Sequence, residues 1–202
     1  MARKKRLGIY GGTFSPPHIG HVLAAEAFVK ELDLDELLIV PAYIPPHKEY
    51  KGEASPGERF EMSKIAFSNI SKATVSDIEI RRCGKSYTYL TLNELAGDEV
   101  ELFLLCGTDM FLTLDRWVCF ERIFELATIC YVRREEDADL TEEIEKKCEE
   151  YTSKYSASVC KISNTVVDIS STELREEIKC SGNSKYLTDG VLKYIKYRGL
   201  YQ

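Results

Sequence analysis

The chain has 202 residues, of which 44% are hydrophobic and 30% are charged, and its formal net charge is −6. This composition excludes a disordered tail, a collagen-like repeat and a disulfide miniprotein, because a chain of this length can bury roughly 70% of its unfolded surface in its own core. The acidic balance argues against a general nucleic-acid coat protein, since the chain as a whole repels polyanions. The length predicts one domain or two small ones.

The cysteines and the apolar runs indicate in which cellular compartment the protein is expected. The seven cysteines are odd in number and never closely paired in the sequence, so neither a disulfide framework nor a zinc knuckle fits them. No stretch approaches the roughly 20 apolar residues of a membrane span. We therefore expect a cytoplasmic protein with reduced cysteines and no membrane or nucleic-acid partner. The oligomeric state stays open, and a homo-oligomer is one alternative.

Short apolar runs alternate with helical segments through the first two thirds of the chain. The predicted strands are, in chain order, RLGIYGG (6–12), ELLIVPA (36–42), ATVSDIEI (73–80), VELFLLCG (100–107) and ATICYVRR (127–134). Near-continuously apolar strands separated by helices predict a parallel sheet that is covered on both faces. The predicted fold is a doubly wound, Rossmann-like α/β sheet with helices on both faces and a helical segment at the C-terminal end.

The helices and a last strand are predicted from spacing. Apolar residues recur at helical intervals over 24–34, and the charged stretch 135–147 is also predicted to be helical. A last short strand is predicted at 165–168. The tail is predicted to end in a packed helix, because it carries apolar residues at helical spacing, namely Leu187, Val191, Leu192 and Ile195.

Two capping boxes mark predicted helix starts. Ser55 is followed by Glu58, and Pro56 stands at the first helical position. Ser170 is followed by Glu173 with the same spacing. Each pair predicts a helix that begins directly after the serine.

The loop after the first predicted strand, GGTFSPPHIGH (11–21), is the first candidate for a ligand site, because open α/β sheets bind ligands beyond the carboxyl ends of their strands. Gly11 and Gly12 let the backbone come close to a ligand. His18 and His21 flank a predicted helix start, whose free amides and positive dipole end favour a phosphate. Two imidazoles beside that end could each donate a hydrogen bond to one anion.

Other readings of this loop fail on spacing. The loop contains no GxGxxG, and it lacks the GK[ST] ending of a P-loop, so neither a dinucleotide oxidoreductase nor a P-loop ATPase is favoured. His18 and His21 could ligate zinc, but no HExxH motif or cysteine partner accompanies them.

Further motifs extend along nearly the whole chain. They are GGTFSPPHIGH (11–21), IPPHK (44–48), Arg59 with Met62, GKSYTYLTL (84–92), GTD (107–109), Trp117 and ISSTELR (169–175). With these motifs the chain resembles the bacterial nicotinate-nucleotide adenylyltransferases, of the HxGH nucleotidyltransferase superfamily. HxGH alone would indicate only the superfamily, whereas SYT with Trp117 points to the nicotinate branch. The resemblance implies a single nucleotidyltransferase domain over residues 1–202.

The reaction that the resemblance implies joins ATP and nicotinate mononucleotide into deamido-NAD and releases pyrophosphate. The acceptor phosphate has a second pKa of about 6, so at neutral pH it is largely a dianion and needs no general base. The protein has to align two anions that repel each other and to stabilise charge on the α-phosphate and the leaving pyrophosphate. Cations, amides and Mg²⁺ bound with the ATP suit that task.

The resemblance assigns roles to residues of this sequence. Catalysis is assigned to His18, His21 and Arg175. ATP binding is assigned to Gly11, Gly12, Thr13, Phe14, His18, His21, Gly107, Asp109, Ile169, Ser171, Thr172 and Arg175. Binding of the mononucleotide is assigned to Lys48, Tyr87, Thr88, Trp117, Arg133 and Arg134, and the sequence does not choose between the two arginines. No residue is assigned as a metal ligand.

Within these sets the resemblance implies finer roles. Both imidazoles would hold the α-phosphate, and the ISSTELR segment would hold the β- and γ-phosphates. Asp109 would accept hydrogen bonds from the adenosine ribose, and Lys48 would neutralise the acceptor phosphate. Trp117 would stack on the nicotinate ring, while Tyr87 and Thr88 would donate to its carboxylate.

Three positions depart from the family's pattern. Ser15 stands where an aspartate commonly follows GTF, which puts that carboxylate's contribution in doubt. Thr108 makes GTD of the usual GAD, and Thr188 replaces a proline before the terminal helix.

Three alternatives remain beside the main interpretation. A sibling transferase could use nicotinamide mononucleotide or pantetheine phosphate as its acceptor. An aminoacyl-tRNA synthetase also carries HIGH, but this chain is short and acidic for a tRNA enzyme. A non-catalytic nucleotide-binding regulator would keep the fold without turnover, and Ser15 is the one residue that favours it.

Overall fold

The computed structural model describes residues 3–46, 54–133, 138–163, 165, 167 and 169–202. Within these residues six strands form one sheet, and their bounds are β1 (Lys5–Gly12), β2 (Glu36–Pro41), β3 (Ala73–Val75), β4 (Val100–Gly107), β5 (Ala127–Val132) and β6 (Val159–Ile162). Four of them, β1, β2, β4 and β5, agree with the predicted apolar runs to within two residues.

The strand order in the sheet is β3-β2-β1-β4-β5-β6, and every neighbouring pair is parallel. The chain therefore moves outward from β1 to β3 on one side and outward from β4 to β6 on the other. The direction of winding reverses between β1 and β4, which opens a crevice beyond their carboxyl ends. This topology confirms the predicted doubly wound, Rossmann-like α/β fold.

Helices connect the strands and close the C-terminal end. Their bounds are α1 (Ile19–Glu31), α2 (Pro56–Ala66), α3 (Ile78–Arg82), α4 (Thr88–Leu95), α5 (Thr108–Phe111), α6 (Phe120–Leu126), α7 (Ala138–Tyr155), α8 (Ser171–Ser181) and α9 (Asp189–Arg198), with a 3₁₀ helix at Leu114–Arg116. Both predicted capping boxes are confirmed, since the Ser55 and Ser170 hydroxyls accept hydrogen bonds from the amides three residues later.

The two faces of the sheet bury two separate apolar cores. Helices α1, α2, α8 and α9 contribute to one core, and α4 to α7 contribute to the other. Alternation along β4 shows why, since Phe103 and Leu105 enter the first core while Leu102 and Leu104 enter the second. Side chains of a strand point to opposite faces in turn, so a central strand that is apolar throughout needs helices on both sides.

Gly8 of β1 lets the side chains of Phe28 and Leu34 approach the centre of the sheet closely. A Cβ atom at this position would lie 2.5 Å from Leu34 Cδ1 and 2.9 Å from Phe28 Cε1. Because Gly8 has no side chain, the C-terminal part of α1 and the residues after it pack directly onto β1.

The third predicted strand is correct only in its first half. Residues 73–75 pair with β2, but the following apolar residues Ile78 and Ile80 lie in the short helix α3. The amide of Arg81 donates to the carbonyl of Asp77 at 2.8 Å, and their side chains form an ion pair at 2.9 Å. Isoleucines two residues apart resemble a strand, and this local turn of helix overrides that pattern.

The prediction of a last strand at 165–168 is wrong. The sixth strand is 159–162, paired with β5 in register from Ile129 opposite Val159 to Val132 opposite Ile162. Thr165 and Val167 lie outside any strand, and Val166 and Asp168 lie outside the described residues. The true edge strand has four residues and only Ile162 is fully buried, so its apolar signal is weak.

The charged helix is longer than predicted. Its observed span, α7, ends at Tyr155 rather than at 147, because Ile144 and Tyr151 on one face are buried in the second core. The terminal helix is confirmed as α9, and Thr188 serves as its N-cap by accepting from the Val191 amide at 3.4 Å.

Candidate active site

A crevice of about 460 Å³ opens beyond the carboxyl ends of β1 and β4, at the reversal of the sheet. It has a size typical of a ligand site. Thirteen residues assigned from the sequence line it, namely Gly11, Gly12, Thr13, Phe14, His18, His21, Thr88, Gly107, Asp109, Trp117, Ser171, Thr172 and Arg175. Residues from four separate parts of the sequence therefore share one concave surface.

The loop after β1 is shaped by one buried aromatic ring. Phe14 has a left-handed backbone with φ 49°, and its ring lies under Gly12, where a Cβ atom would approach within 2.8 Å of it. The ring packs edge-on against Tyr10 and His21, with centroid distances of 5.5 and 5.2 Å. This packing holds the glycine backbone open toward the crevice and supports the His21 ring from behind.

His18 and His21 lie at the N-terminus of α1 with their ring centroids 3.8 Å apart. The amide of His18 donates to Nδ1 of His21 at 3.2 Å. Because that nitrogen accepts, the neutral ring of His21 carries its proton on Nε2. The first turn of α1 adds amides and a positive dipole end, so this corner suits an anion.

Arg175 brings the C-terminal motif against the histidine loop. Its guanidinium donates to the carbonyls of Ser15 at 2.8 Å and Ser171 at 3.1 Å, and to the Thr172 hydroxyl at 3.1 Å. The Ser171 hydroxyl donates to the carbonyl of Pro16 at 3.1 Å. A second capped helix N-terminus, that of α8, is thus joined to the β1–α1 loop, although about 160 residues separate the two in sequence.

The end of β4 forms another wall of the crevice. Gly107 and Asp109 line it, and Thr108 donates its hydroxyl hydrogen to the carbonyl of Val132 at 3.1 Å. Threonine at this position therefore ties the end of β4 to the end of β5. Burial raises the pKa of the adjacent Cys106 thiol to about 12, so at neutral pH this cysteine is a packed apolar group and not a nucleophile.

Of the assigned residues that the structure describes, Tyr87, Ile169 and Arg133 do not line this crevice. Tyr87 is the N-cap residue of α4, next to Thr88, and Lys48 and Arg134 lie outside the described residues. Ile169 and Arg133 line a small neighbouring cavity instead. This cavity shares Tyr10, His18 and His21 with the main crevice, so the two cavities adjoin at the histidine pair.

Two buried charged side chains near the crevice were not among the assigned residues. Arg59 has no exposed surface, and it donates to the carbonyls of Thr13 at 2.9 Å and Tyr43 at 3.0 Å. Glu79 is 7% exposed and lines the crevice wall. Arg59 could have been found from the RxxM motif, and Glu79 from its position as a carboxylate between two isoleucines.

The described residues show no metal cluster, no membrane-spanning helix and no disulfide. No group of three His, Cys, Asp or Glu side chains that could hold a metal ion occurs in the part of the chain that the structure describes. Within those same residues, no helix is both long and apolar enough to cross a membrane. None of the seven cysteines is paired in a disulfide.

Sequence comparison finds full-length relatives. A family model described as cytidylyltransferase-like matches residues 9–177. A probable nicotinate-nucleotide adenylyltransferase of Clostridium botulinum (strain Alaska E43 / Type E3) is 35% identical, covering 98% of this chain and 98% of its own. A protein of the same description from Desulfatibacillum aliphaticivorans is 34% identical, covering 97% of this chain and 99% of its own.

Solved structures share the fold over nearly the whole length. The Plasmodium falciparum nicotinic acid mononucleotide adenylyltransferase complexed with NaAD is similar with a TM-score of 0.74 and 19% identity, over 98% of this chain and 97% of that one. A putative nicotinate-nucleotide adenylyltransferase from Vibrio parahaemolyticus is similar with a TM-score of 0.66 and 19% identity, over 95% and 99%. At these identities the similarity concerns the fold.

Proposed function

Since this chain belongs to the cytidylyltransferase-like family, and within it to the nicotinate-nucleotide adenylyltransferases, we propose that it transfers the adenylyl group of ATP to nicotinate mononucleotide. The products are deamido-NAD and pyrophosphate, and the reaction is a step in NAD biosynthesis. The observation that carries the proposal is the shared crevice, where His18, His21 and Arg175 lie together in a chain with full-length relatives of this activity. All 202 residues are proposed to act as one catalytic domain.

The chemistry is proposed to be a direct in-line attack by the acceptor phosphate on the α-phosphate of ATP. The acceptor phosphate is largely a dianion at neutral pH, because its second pKa is about 6. The attacking oxygen therefore needs no base from the protein. What the protein has to supply is alignment of the two anions and charge stabilisation in the transition state.

His18 and His21 are proposed to stabilise the α-phosphate. Supporting this role, both rings line the crevice at the N-terminus of α1, and the hydrogen bond to His21 Nδ1 leaves its Nε2–H as a donor. Donors that point at developing charge are effective because they are already oriented before the reaction. The α1 amides add to the same field.

The leaving pyrophosphate is proposed to bind at the start of α8. Ser171 and Thr172 occupy its first turn, and Arg175 follows one turn later with its guanidinium already held by three protein oxygens. Guanidinium groups and helix-initial amides are preferred phosphate ligands. Nucleotidyltransferases of this kind typically use a divalent metal. We assign Mg²⁺ to the phosphate oxygens of ATP, as part of that substrate.

The remaining assigned residues are proposed to bind the ribose and the acceptor. Asp109 would accept from the ribose hydroxyls beside Gly107. Trp117 and Thr88, which share the crevice with them, would bind the nicotinate ring and its carboxylate. Lys48 and one of Arg133 and Arg134 stay proposed ligands of the acceptor.

Ser15 is proposed to support the loop rather than to bind substrate. Its hydroxyl lies 2.9 Å from the Tyr201 hydroxyl, and its carbonyl accepts from Arg175. These contacts support a structural role for Ser15, and we propose that the reaction does not need a carboxylate at this position.

The test is an acceptor panel with purified protein, ATP and Mg²⁺. Nicotinate mononucleotide should yield one pyrophosphate per dinucleotide formed, whereas nicotinamide mononucleotide and pantetheine phosphate should react far more slowly. A site built for a carboxylate rejects the amide strongly because its donors are left unpaired. Faster turnover of either competitor would favour the sibling transferase, and ATP binding without any product would favour the regulator.

A further inference from the structure

A line of buried and partly buried hydrogen bonds runs along the wall of the crevice, from the side proposed to bind ATP to the side proposed to bind the acceptor. It begins at Arg59, whose guanidinium donates to the carbonyls of Thr13 and Tyr43. The amide of Tyr43 donates in turn to the Ser86 hydroxyl oxygen at 2.8 Å. The loop after β1 and the loop before α4 are thus connected through the side chains of Arg59 and Ser86 and the backbone of Tyr43.

Glu79 terminates this line. Its carboxylate accepts from the Thr91 hydroxyl at 2.7 Å and is also hydrogen-bonded to Ser86. The Ser86 amide donates to the carbonyl of Ile44 at 2.9 Å, so Ser86 is held on both its backbone and its side chain. One carboxylate therefore joins Ser86, two residues before α4, to Thr91, the fourth residue of α4.

The position of Glu79 makes this carboxylate hard to replace. It is almost fully buried, and burial raises its pKa, against the hydrogen bonds from Thr91 and Ser86 and the positive charge of Arg82 at 3.7 Å. Arg82 also donates to Thr91 at 2.8 Å. A buried carboxylate is tolerated only where such partners satisfy it, so the surrounding groups are arranged around its two oxygens.

The start of α4 depends on this carboxylate because it lacks an ordinary cap. Its N-cap residue, Tyr87, makes no side-chain hydrogen bond to the helix amides. The first turn is instead held at both ends, by Ser86 two residues before the helix and by Thr91, the fourth residue of the helix. Helix-initial amides without an intrahelical acceptor are available to an anionic ligand.

We propose that Glu79 is a positioning residue for the acceptor mononucleotide: by holding Ser86 and Thr91, it orients the first turn of α4 toward the acceptor's carboxylate. This inference rests on the proposed function for the identity of the acceptor. Glu79 itself does not contact the reacting atoms. The hydrogen bonds of Glu79 go to Ser86 and Thr91, and it is joined to the ATP side only indirectly, through Ser86, the Tyr43 backbone and Arg59, so its removal should act mainly on the acceptor.

The experiment compares two glutamate-to-glutamine variants that both lose a partner of Arg82. Glu79→Gln removes the buried carboxylate, whereas Glu94→Gln removes the exposed carboxylate that pairs with Arg82 at 2.6 Å. We expect Glu79→Gln to raise the KM for nicotinate mononucleotide about tenfold, with the KM for ATP within about twofold of wild type. Glu94→Gln should leave both values unchanged.

A second measurement does not depend on activity. Amide hydrogen exchange in the substrate-free protein should become about tenfold faster at residues 86–90 in Glu79→Gln and not in Glu94→Gln. Should Glu79→Gln fail to fold, Ser86→Ala tests the same line with a smaller change and should also raise the acceptor KM selectively. An acceptor KM within twofold of wild type, an equal rise in both KM values, or unchanged exchange at 86–90 overturns the inference.

A failure of the proposed function and a failure of the role of Glu79 give different results. A wild-type protein that forms no dinucleotide from nicotinate mononucleotide overturns the proposed function. A wild-type protein that is active, together with a Glu79→Gln variant of normal acceptor KM, overturns only the role of Glu79.

Discussion

The two halves of the crevice are built in different ways. The half proposed to bind ATP, called here the ATP half, consists of the loop after β1 and the start of α8, joined by contacts from Arg175 and Ser171 to backbone carbonyls. The half proposed to bind the acceptor, called the acceptor half, gathers Thr88, Trp117 and the wall residue Glu79 from separate segments and relies on buried side-chain hydrogen bonds. Phosphates can be bound by helix-initial amides wherever a loop meets a helix, whereas a planar acid has to be recognised by groups brought from several places.

This difference predicts where a substitution acts on kinetics and where it acts on stability. Substitutions in the ATP half should change the rate with little change in folding, because the functional groups there lie at the surface of the crevice. Substitutions in the supporting residues should change binding or stability.

The largest effect is expected at the centre of the ATP half. His18→Ala should lower kcat by about 10³-fold, because a donor to the developing charge on the α-phosphate is lost. The acceptor KM should stay near its wild-type value. Steady-state kinetics measure the effect, with the melting temperature as the check on folding.

The companion variant His18→Asn separates catalysis from helix capping. Asparagine is a good N-cap residue, so it should preserve α1 while still losing the imidazole. Near wild-type turnover in either variant would remove His18 from the proposed mechanism.

A large effect on stability is expected at the residue shared by both halves. Arg59→Met should lower the free energy of unfolding by about 3 kcal/mol, since the carbonyls of Thr13 and Tyr43 both lose their buried donor. Urea denaturation provides the measurement. Arg122→Met is the matched control, because that arginine is half exposed and should change stability by less than about 0.5 kcal/mol.

The kinetics of Arg59→Met would show whether Arg59 supports both halves of the crevice. If Arg59→Met folds well enough for kinetics, the KM values for ATP and for the acceptor should rise together, unlike the selective effect expected at Glu79. A rise in only one of them would mean that Arg59 supports one half alone.

The smallest effect is expected at a pair that supports the acceptor half from outside. Asp115 lies in the 3₁₀ helix before Trp117, and Lys147 of α7 pairs with it at 2.8 Å. Burial opposes ionisation, but the hydrogen bond and charge of Lys147 outweigh it and lower the pKa of Asp115 below its ordinary value of 3.8. The stabilisation is therefore present above pH 4 and is lost as the pH falls through the lowered pKa.

Thermal melting between pH 7 and pH 3 tests this pair. Asp115→Asn should cost about 1 kcal/mol at pH 7 and should show a smaller loss of stability toward pH 3 than wild type. Glu142→Gln is the control, because Glu142 forms a fully exposed pair with Lys146 and should change neither value. Identical acid profiles for wild type and Asp115→Asn would contradict the role of the Asp115–Lys147 pair.

Much of the ATP half could be predicted from local sequence. The capping boxes at Ser55 and Ser170 and the His18–His21 spacing at a helix start are local features, because each depends on residues within one turn. Four strands were recognisable because a buried parallel strand is a continuous apolar run. β6 was not recognised, since an edge strand of four residues with only Ile162 buried has no such run.

The acceptor half was harder to predict for a physical reason. The bonds of Glu79 to Thr91 and Ser86 span 12 and 7 residues across two helices and a loop, with no periodic pattern to reveal them. Arg59 donates to carbonyls 46 and 16 residues away. Every residue has a backbone carbonyl, so the sequence does not show which ones accept from Arg59. Ile169 and Arg133 were assigned to the site from their motifs, and only the tertiary structure shows that they line a second cavity, which shares both histidines with the main crevice.

The sequence by itself determined the alternation of strands and helices, the capped helix starts and the chemistry of the histidine loop, because these depend on side-chain pattern over a few residues. The tertiary structure alone decided that Arg175 meets the carbonyl of Ser15, that Glu79 supports the start of α4, and that the crevice opens between β1 and β4. These contacts join distant backbone groups through the order of strands in the sheet, and packing of the whole chain sets that order.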